Sequence, residues 1–344
     1  MDLSVIIPTC NRPWTLARCL AGLDRQSLSP QRFEVLVCDD GSTFGVESVA
    51  MAAAPGLRLR LFRQQRSGPA AARNQGIRAA AGELLLFLND DAIPDSELLL
   101  RHVLTHEANA KVAVLGRLTT AARHLNSRFA WILERTNALF GYNGLENYHR
   151  YDYNQFYTCN VSVAAAAVRA AGGFDPDFAD AAAEDIELGY RLQKQGLRVL
   201  YTPDCLTWHE HKIAPADFCA INYRRGYWAM LFFLKHEDLE KVPFFSEKKV
   251  FEWRDRLASE QEPVCQGLAR LTASYLADQV AGQVKSDRLD AELTGLVELL
   301  HQHHYLRGLL ASPYLALVIE RQHQNGNKQR RSFDYDQEQR RSLL

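Results

Sequence analysis

The first 120 residues alternate short aliphatic runs with segments whose apolar residues fall at helical spacing, and most of the runs end in polar side chains. The runs are LSVIIPT (3–9), FEVLVCDD (33–40), RLRLFRQ (58–64), ELLLFLND (83–90) and KVAVLGRL (111–118). Between them lie 13–26, 45–54, 69–81 and 96–109, where residues such as Leu16, Cys19, Leu20 and Leu23 share one helical face. Strands and helices alternating through mostly short connections build a mainly parallel sheet with helices on both faces. Ligands of such sheets gather beyond the carboxyl ends of the strands. Here PTCNR follows the first strand, DDGS closes the second and NDD the fourth, so three polar clusters share one edge.

The NDD cluster makes the strongest demand. Asp90 and Asp91 come directly after the apolar run Leu84–Leu88 and Asn89, and adjacent carboxylates at the end of a hydrophobic strand repel each other unless a cation holds them. A hard divalent ion, Mn2+ or Mg2+, suits the pair, because the next helix already has Asp95 or Ser96 as its cap. In DDGS, Gly41 permits a sharp turn, and Asp39 or Asp40 can accept hydrogen bonds from a base or ribose. The stretch 66–82 opens a helix with Gly68-Pro69 and sets Arg73 and Asn74 in its first turns, suited to a diphosphate or to steadying the carboxylates. AAAEDIELGYRL (181–192) places Glu184 and Asp185 at a helix start. The positive helix end favours their ionised forms, as a base that takes a hydroxyl proton requires. His209 or His211 of TWHEH can complete a metal shell. HQHH (301–304) fits no zinc spacing and reads as a solvated helix face.

The remainder bounds the function classes. With 40 basic and 41 acidic residues the net charge is -1, so no bulk attraction draws the chain to nucleic acid. Seven cysteines, without CxxC spacing, point to reduced thiols in the cytoplasm. The N-terminus lacks a signal-peptide pattern, and no apolar stretch nears the roughly 20 residues of a bilayer span. No GxGxxG follows the first strand and no Walker A sequence is present, which removes NAD-binding Rossmann and P-loop readings. Residues 120–160 hold the Tyr-, Asn- and Arg-rich LFGYNGLENYHRYDYNQFY, a long loop of the kind that forms lids or recognition surfaces. Beyond 220 the pattern is helical: residues 221–312 read as a helical extension, and 313–344 as a polar, flexible tail. Within the extension Arg224, Arg225, Tyr227, Trp228 and the run 230–234 read as a face packed against the catalytic domain, with a membrane surface as the alternative.

Taken in order, VIIPTCNR, VCDDGS, GPAAARNQGI, FLNDD, GGFDPDF and EDIELGYRL resemble the family 2 glycosyltransferases, which have the GT-A fold. The resemblance covers roughly residues 1–215 and implies a GT-A domain over 1–220, with 120–160 as an insertion on the acceptor side. It implies an inverting enzyme that moves a sugar from a nucleoside-diphosphate sugar, a UDP-sugar first, to a hydroxyl of a glycan or lipid-linked saccharide. Pro8, Thr9, Asn11, Arg12 and Asp39 would border the nucleotide, and Arg73 and Asn74 would position the donor. Asp90 would face the ribose or the metal, while Asp91 and His209, with His211 as the alternative, would hold Mn2+ or Mg2+. Asp185 would be the general base and Glu184 would orient donor or acceptor. Asn89 stands where members with a D-x-D pattern carry an acid, so fewer charges would hold the ion. The family's products lead to an expectation of peripheral attachment at the inner face of a membrane, and the helical extension to one of a homo-oligomer. The alternatives are a non-catalytic nucleotide-sugar-binding or scaffold protein of a polysaccharide assembly, and a sugar nucleotidyltransferase. For the latter, PTCNRPWT lacks the Gly-rich basic signature after the first strand.

Overall fold

The computed structural model describes residues 1–236, 245–281 and 290–322. Two compact units divide the chain: Met1–Ala214 with Thr272–Thr294, and Pro215–Leu271 with Gly295–Leu344. In chain order the elements are β1 (Leu3–Thr9), α1 (Pro13–Leu23), β2 (Phe33–Asp40), α2 (Val46–Ala53), β3 (Leu59–Gln64), α3 (Pro69–Ala79) and β4 (Leu84–Leu88). There follow β5 (Ala92–Pro94), α4 (Leu98–Ala108), β6 (Val112–Thr120), α5 (Arg128–Arg135), β7 (Arg150–Tyr151), β8 (Asn160–Ala164), α6 (Ala165–Ala170), α7 (Glu184–Lys194) and β9 (Arg198–His209). The last helices are α8 (Pro215–Lys235), α9 (Glu247–Ala281) and α10 (Ala291–Ala311).

The strands form one sheet in the order β3-β2-β1-β4-β8-β6-β9-β5, with β7 also on β9. β1 to β4 pair in parallel, as the alternation of strand and helix requires. The far half is mixed: β8 is antiparallel to β4 and β6, β5 and β7 are antiparallel to β9, and only β6 and β9 run parallel. The physical reason lies in the long excursion after Thr120, which ends at the carboxyl edge of the sheet. β8 re-enters there without a crossover helix and so runs the opposite way.

Period-two alternation sorts the strand residues onto two cores. Leu3, Val5 and Ile7 of β1, Val35 and Val37 of β2, and Leu86 and Leu88 of β4 pack with Leu16, Leu20 and Leu23 of α1 and Leu98 and Val103 of α4. Ile6, Leu36, Leu85 and Phe87 face the other way, onto Ile77 of α3, Val168 of α6 and Leu188 of α7. Phe87 and Phe174 meet edge to face at 5.1 Å. Each such fully buried side chain contributes about 1.5–3 kcal/mol. Pro8 lies inside the sheet without harm because β4 pairs only with Leu3–Ile6, so the missing N–H falls where that neighbour has ended.

The second unit is helical among its described residues. Met230 of α8, Leu306 and Leu309 of α10, and Phe245, Val250, Leu315 and Val318 share a core. Residues 315–322 are helical, so the tail expected from 313 begins no earlier than 323, and 323–344 lie outside the described residues. HQHH is not a solvated face: His303 is buried, and His301 Nδ1 sits 2.7 Å from Asn222 Oδ1. Among the described residues no helix is long and apolar enough to cross a membrane.

Candidate functional site

The segments after β1 and β4 and the end of β9 meet at Asp91, through Arg12, His209 and His211. Thr9 Oγ1 donates to Asp90 Oδ2 at 2.7 Å, a contact possible because β1 and β4 are direct neighbours. Just beyond β1, Asn11 holds a left-handed φ of 55°, a conformation that asparagine tolerates better than most residues. Its backbone N–H donates to Ser42 Oγ at 2.8 Å, and its Oδ1 accepts from Thr43 N at 2.8 Å, which ties the β1 and β2 loops together. Arg12 then turns its Nη1 to Asp91 Oδ2 at 2.7 Å and Asp90 Oδ1 at 3.4 Å, and its Nη2 lies 3.2 Å from His211 Nδ1.

His209 Nε2 and His211 Nδ1 approach the same Asp91 Oδ2, at 3.6 and 3.3 Å. His211 follows β9 by two residues, and its ring stacks on that of His209 at 5.6 Å. Between them, Glu210 N donates to the Asp91 carbonyl at 2.7 Å and locks the end of β9 to the end of β4. The second carboxylate oxygen, Asp91 Oδ1, is buried and has no hydrogen-bond partner among the described residues. An orphaned buried acceptor carries a penalty of about 1–3 kcal/mol or more. With one carboxylate oxygen and two imidazole nitrogens within 4.8 Å of one another, Asp91, His209 and His211 fit a divalent cation. Both histidines join, where sequence reading had made them alternatives.

The doublet divides its charge. Burial and the Asp91 charge push Asp90 up to about 7, against the pull of Arg12 and Thr9. Burial pushes Asp91 up as well, but His209, the His211 hydrogen bond and Arg12 outweigh it and hold Asp91 well below the usual carboxylate range. Asp91 is therefore the charged member.

At β2 the two acids separate in role. Asp40 accepts from Gln64 Nε2 at 2.8 Å, Ser67 N at 2.8 Å and Gly68 N at 2.9 Å, so it is occupied in fastening the start of α3. Sequence reading offered that helix start to a diphosphate; Asp40 already sits on it. Asp39 accepts from Ser42 N at 3.0 Å and has Arg63 Nε 3.6 Å away, which leaves it as the β2 acid that does not fasten α3.

α3 and α7 supply a second doublet. Arg73 Nη1 donates to Glu184 Oε1 at 2.8 Å with both side chains almost fully buried, and its guanidinium lies over the Phe174 ring at 5.4 Å. Burial and the adjacent Asp185 push Glu184 up to about 7, against the pull of Arg73. Asn74 donates to the Phe174 carbonyl and accepts from its N–H, each at 2.8 Å. Of the two expectations for this stretch, a diphosphate or the carboxylates, Arg73 makes a carboxylate contact, to Glu184, while Asn74 holds the GGFD turn. Ala183, with φ 70°, precedes the doublet in a strained left-handed conformation of the kind that clusters at functional sites. Asp185 Oδ2 accepts from Thr158 N at 3.4 Å, while Cys159 O accepts from Asn89 N at 3.3 Å. The two doublets thus flank the Thr158-Cys159 peptide.

The mixed sheet and these carboxylates at strand tips define the class of fold, GT-A. Residues 4–163 match the family described as Glycosyl transferase family 2. A validoxylamine A glucosyltransferase of Streptomyces hygroscopicus subsp. limoneus is 33% identical over 219 residues, covering 57% of this chain and 48% of that protein. A pre-mycofactocin glycosyltransferase of Mycobacterium tuberculosis is 28% identical over 250 residues, covering 69% and 48%. The chain thus spans about half the length of the curated relatives it matches. Among solved structures, the mannosyltransferase PcManGT of Pyrobaculum calidifontis, in complex with GDP-Man and Mn2+, superposes with a TM-score of 0.55 at 20% identity, covering 90% of this chain and 85% of that one. S. aureus TarS 1–349 in complex with UDP gives 0.51 at 18% identity, covering 94% and 92%. These likenesses establish a shared fold.

Proposed function

We propose that the protein is a metal-dependent, inverting glycosyltransferase that moves a sugar from a nucleoside-diphosphate sugar, a UDP-sugar first, to a hydroxyl of a glycan or lipid-linked saccharide. The observation that carries this reading is Asp91, buried at a strand tip with an unpartnered Oδ1 and two imidazoles at its Oδ2. The nucleotide and Mn2+ named for the structural neighbours support the same reading. Two nitrogen donors and one oxygen favour Mn2+ over Mg2+, which prefers a shell of oxygens. When bound, the ion offsets negative charge on the departing nucleoside diphosphate.

The chain's own residues do the rest. Asp39 takes the base edge, and Pro8, Thr9 and Asn11 border the nucleotide. Arg12, whose side chain is 42% exposed, is free to turn from Asp91 to the donor phosphates. Asp185 accepts the proton of the acceptor hydroxyl as that oxygen attacks the anomeric carbon. The bond from this carbon to the diphosphate oxygen breaks, its electron pair leaves with the nucleoside diphosphate, and attack from the opposite face inverts the configuration. Glu184, clamped by Arg73, holds the start of α7 so that Asp185 meets the acceptor. A reducing, cytoplasmic setting is in keeping with seven free cysteines.

Calorimetry of UDP and GDP with and without Mn2+ tests the reading. Binding of one nucleotide should strengthen with Mn2+ in the wild type and lose that dependence in Asp91→Ala. Equal affinities in all four conditions would remove Asp91 from the role.

A further inference from the structure

A cavity of about 180 Å³ lies against His209 and His211, walled by Arg117, Glu134, Phe140, Tyr142 and Lys212. Aromatic walls with a few convergent polar groups are usual for a site that holds a small organic ring. Charge distinguishes this one. Glu134 is the only carboxylate among the lining residues, and both its oxygens are taken, by Thr119 Oγ1 at 2.5 Å and Thr120 N at 2.9 Å. Against it stand two cations: Lys212, over the Tyr275 ring at 5.6 Å, and Arg117.

Arg117 is held in an unusual way. Its carbonyl accepts from Thr207 Oγ1 at 3.1 Å and Asn160 Nδ2 at 3.3 Å, and Asn160 is itself fixed by His102 Nε2 at 3.0 Å. Its guanidinium has no hydrogen bond or ion pair among the described residues, although the side chain is exposed at the cavity wall. The β6–β9 register slips at this point, from Gly116 opposite Thr202 to Arg117 opposite Leu206, the kind of irregularity that re-aims a side chain beside an active site. Gly116 makes room for it: a Cβ there would stand 2.3 Å from Asn160 Nδ2. A backbone pinned from two sides thus presents an unspent cation to a cavity that ends on the two imidazoles.

We propose that this cavity is the acceptor subsite and that Arg117, assisted by Lys212, anchors an anionic group of the acceptor sugar, a carboxylate or a phosphate monoester. The inference rests on the glycosyltransferase reading above and names the acceptor's chemical class. Saturation-transfer NMR with three probes, glucose, glucuronate and glucose 6-phosphate, tests it on the full chain, with and without UDP and Mn2+. At least one anion should bind about 10-fold or more tighter than glucose. Which anion binds identifies the source of the charge. Arg117→Ala should bring that anion to the level of glucose with UDP affinity unchanged, and Arg117→Lys should retain part of the preference. Equal binding of all three probes, no binding of either anion, or a preference that survives Arg117→Ala would overturn the proposal. Loss of UDP binding in the wild type would instead count against the transferase reading, since the anion preference is also measured without nucleotide.

Discussion

At Asp90-Asp91 the arginine that meets the doublet is 42% exposed and reaches both acids; at Glu184-Asp185 it is 4% exposed and grips Glu184. Both doublets have one acid pushed up to about 7 by burial and by its neighbour's charge. They differ in whether the counter-ion can leave. Arg12 sits at the oxygen that His209 and His211 also approach, where an incoming cation would compete with it, and it has solvent to move into. Arg73 is walled in by Phe174 and Glu184 and has nowhere to go. One doublet is built for exchange and the other for fixity, which suits the roles proposed for them, a transient ligand site and a base whose position must not drift.

That contrast can be broken by experiment. The largest effect is expected at the fixed doublet: Asp185→Asn should slow sugar transfer by about 10²–10⁴-fold while calorimetry shows nucleotide binding retained. Next, Arg73→Ala should lower unfolding stability by about 3–5 kcal/mol in urea denaturation, because it leaves Glu184 buried without its partner. Arg12→Ala should lower stability by no more than about 1 kcal/mol, in keeping with a half-exposed pair. The same variant should bind Mn2+ about 10-fold more tightly than wild type without nucleotide, measured by electron paramagnetic resonance, because the competing guanidinium is gone. Unchanged Mn2+ affinity would mean that the two doublets differ in exposure only.

A separate test concerns the frame behind the exchangeable doublet. Burial pushes His102 down to about 3, against the Asn160 contact that favours its charged form, and burial pushes His106 down to about 4. The folded protein refuses protons that the unfolded chain accepts below about 6.5. Their stability contribution is therefore complete above that pH and is lost as pH falls, by roughly 1.4 kcal/mol per unit for each histidine. Denaturation midpoints between pH 7 and 5 should show this slope, and His102→Gln should flatten it.

Much of the exchangeable doublet was legible in the sequence, because strand tips in a doubly covered sheet are set by short-range pattern. NDD, DDGS and PTCNR each follow an aliphatic run, and strand order alone brings them to one edge. What sequence reading missed depends on contacts between distant segments. Asp39 and Asp40 are neighbours with the same chemistry, and only the approach of Ser67 and Gly68 shows which is occupied. His211 joins His209 because the end of β9 is tied to Asp91 through Glu210 N, a contact between segments far apart in the chain. The antiparallel entry of β8 and the slipped register at Arg117 carry no local signature: the first arises from how the excursion after Thr120 returns to the sheet, the second from residues 203–205 of β9, which have no partner on β6. HQHH misled for the complementary reason: a polar helix face gives no warning of the partner that covers it.

Gly68 bears on all of this through a single close approach. With φ 90°, it carries the chain into α3, and a Cβ there would stand 2.3 Å from the carbonyl oxygen of Ala179, on the segment leading to Glu184. The gap between the helix bearing the walled-in arginine and the stretch that leads to the Glu184-Asp185 doublet is thus the width of a bare α-carbon. Any side chain at 68 would act as a wedge, prising α3 away from that stretch without touching either acid.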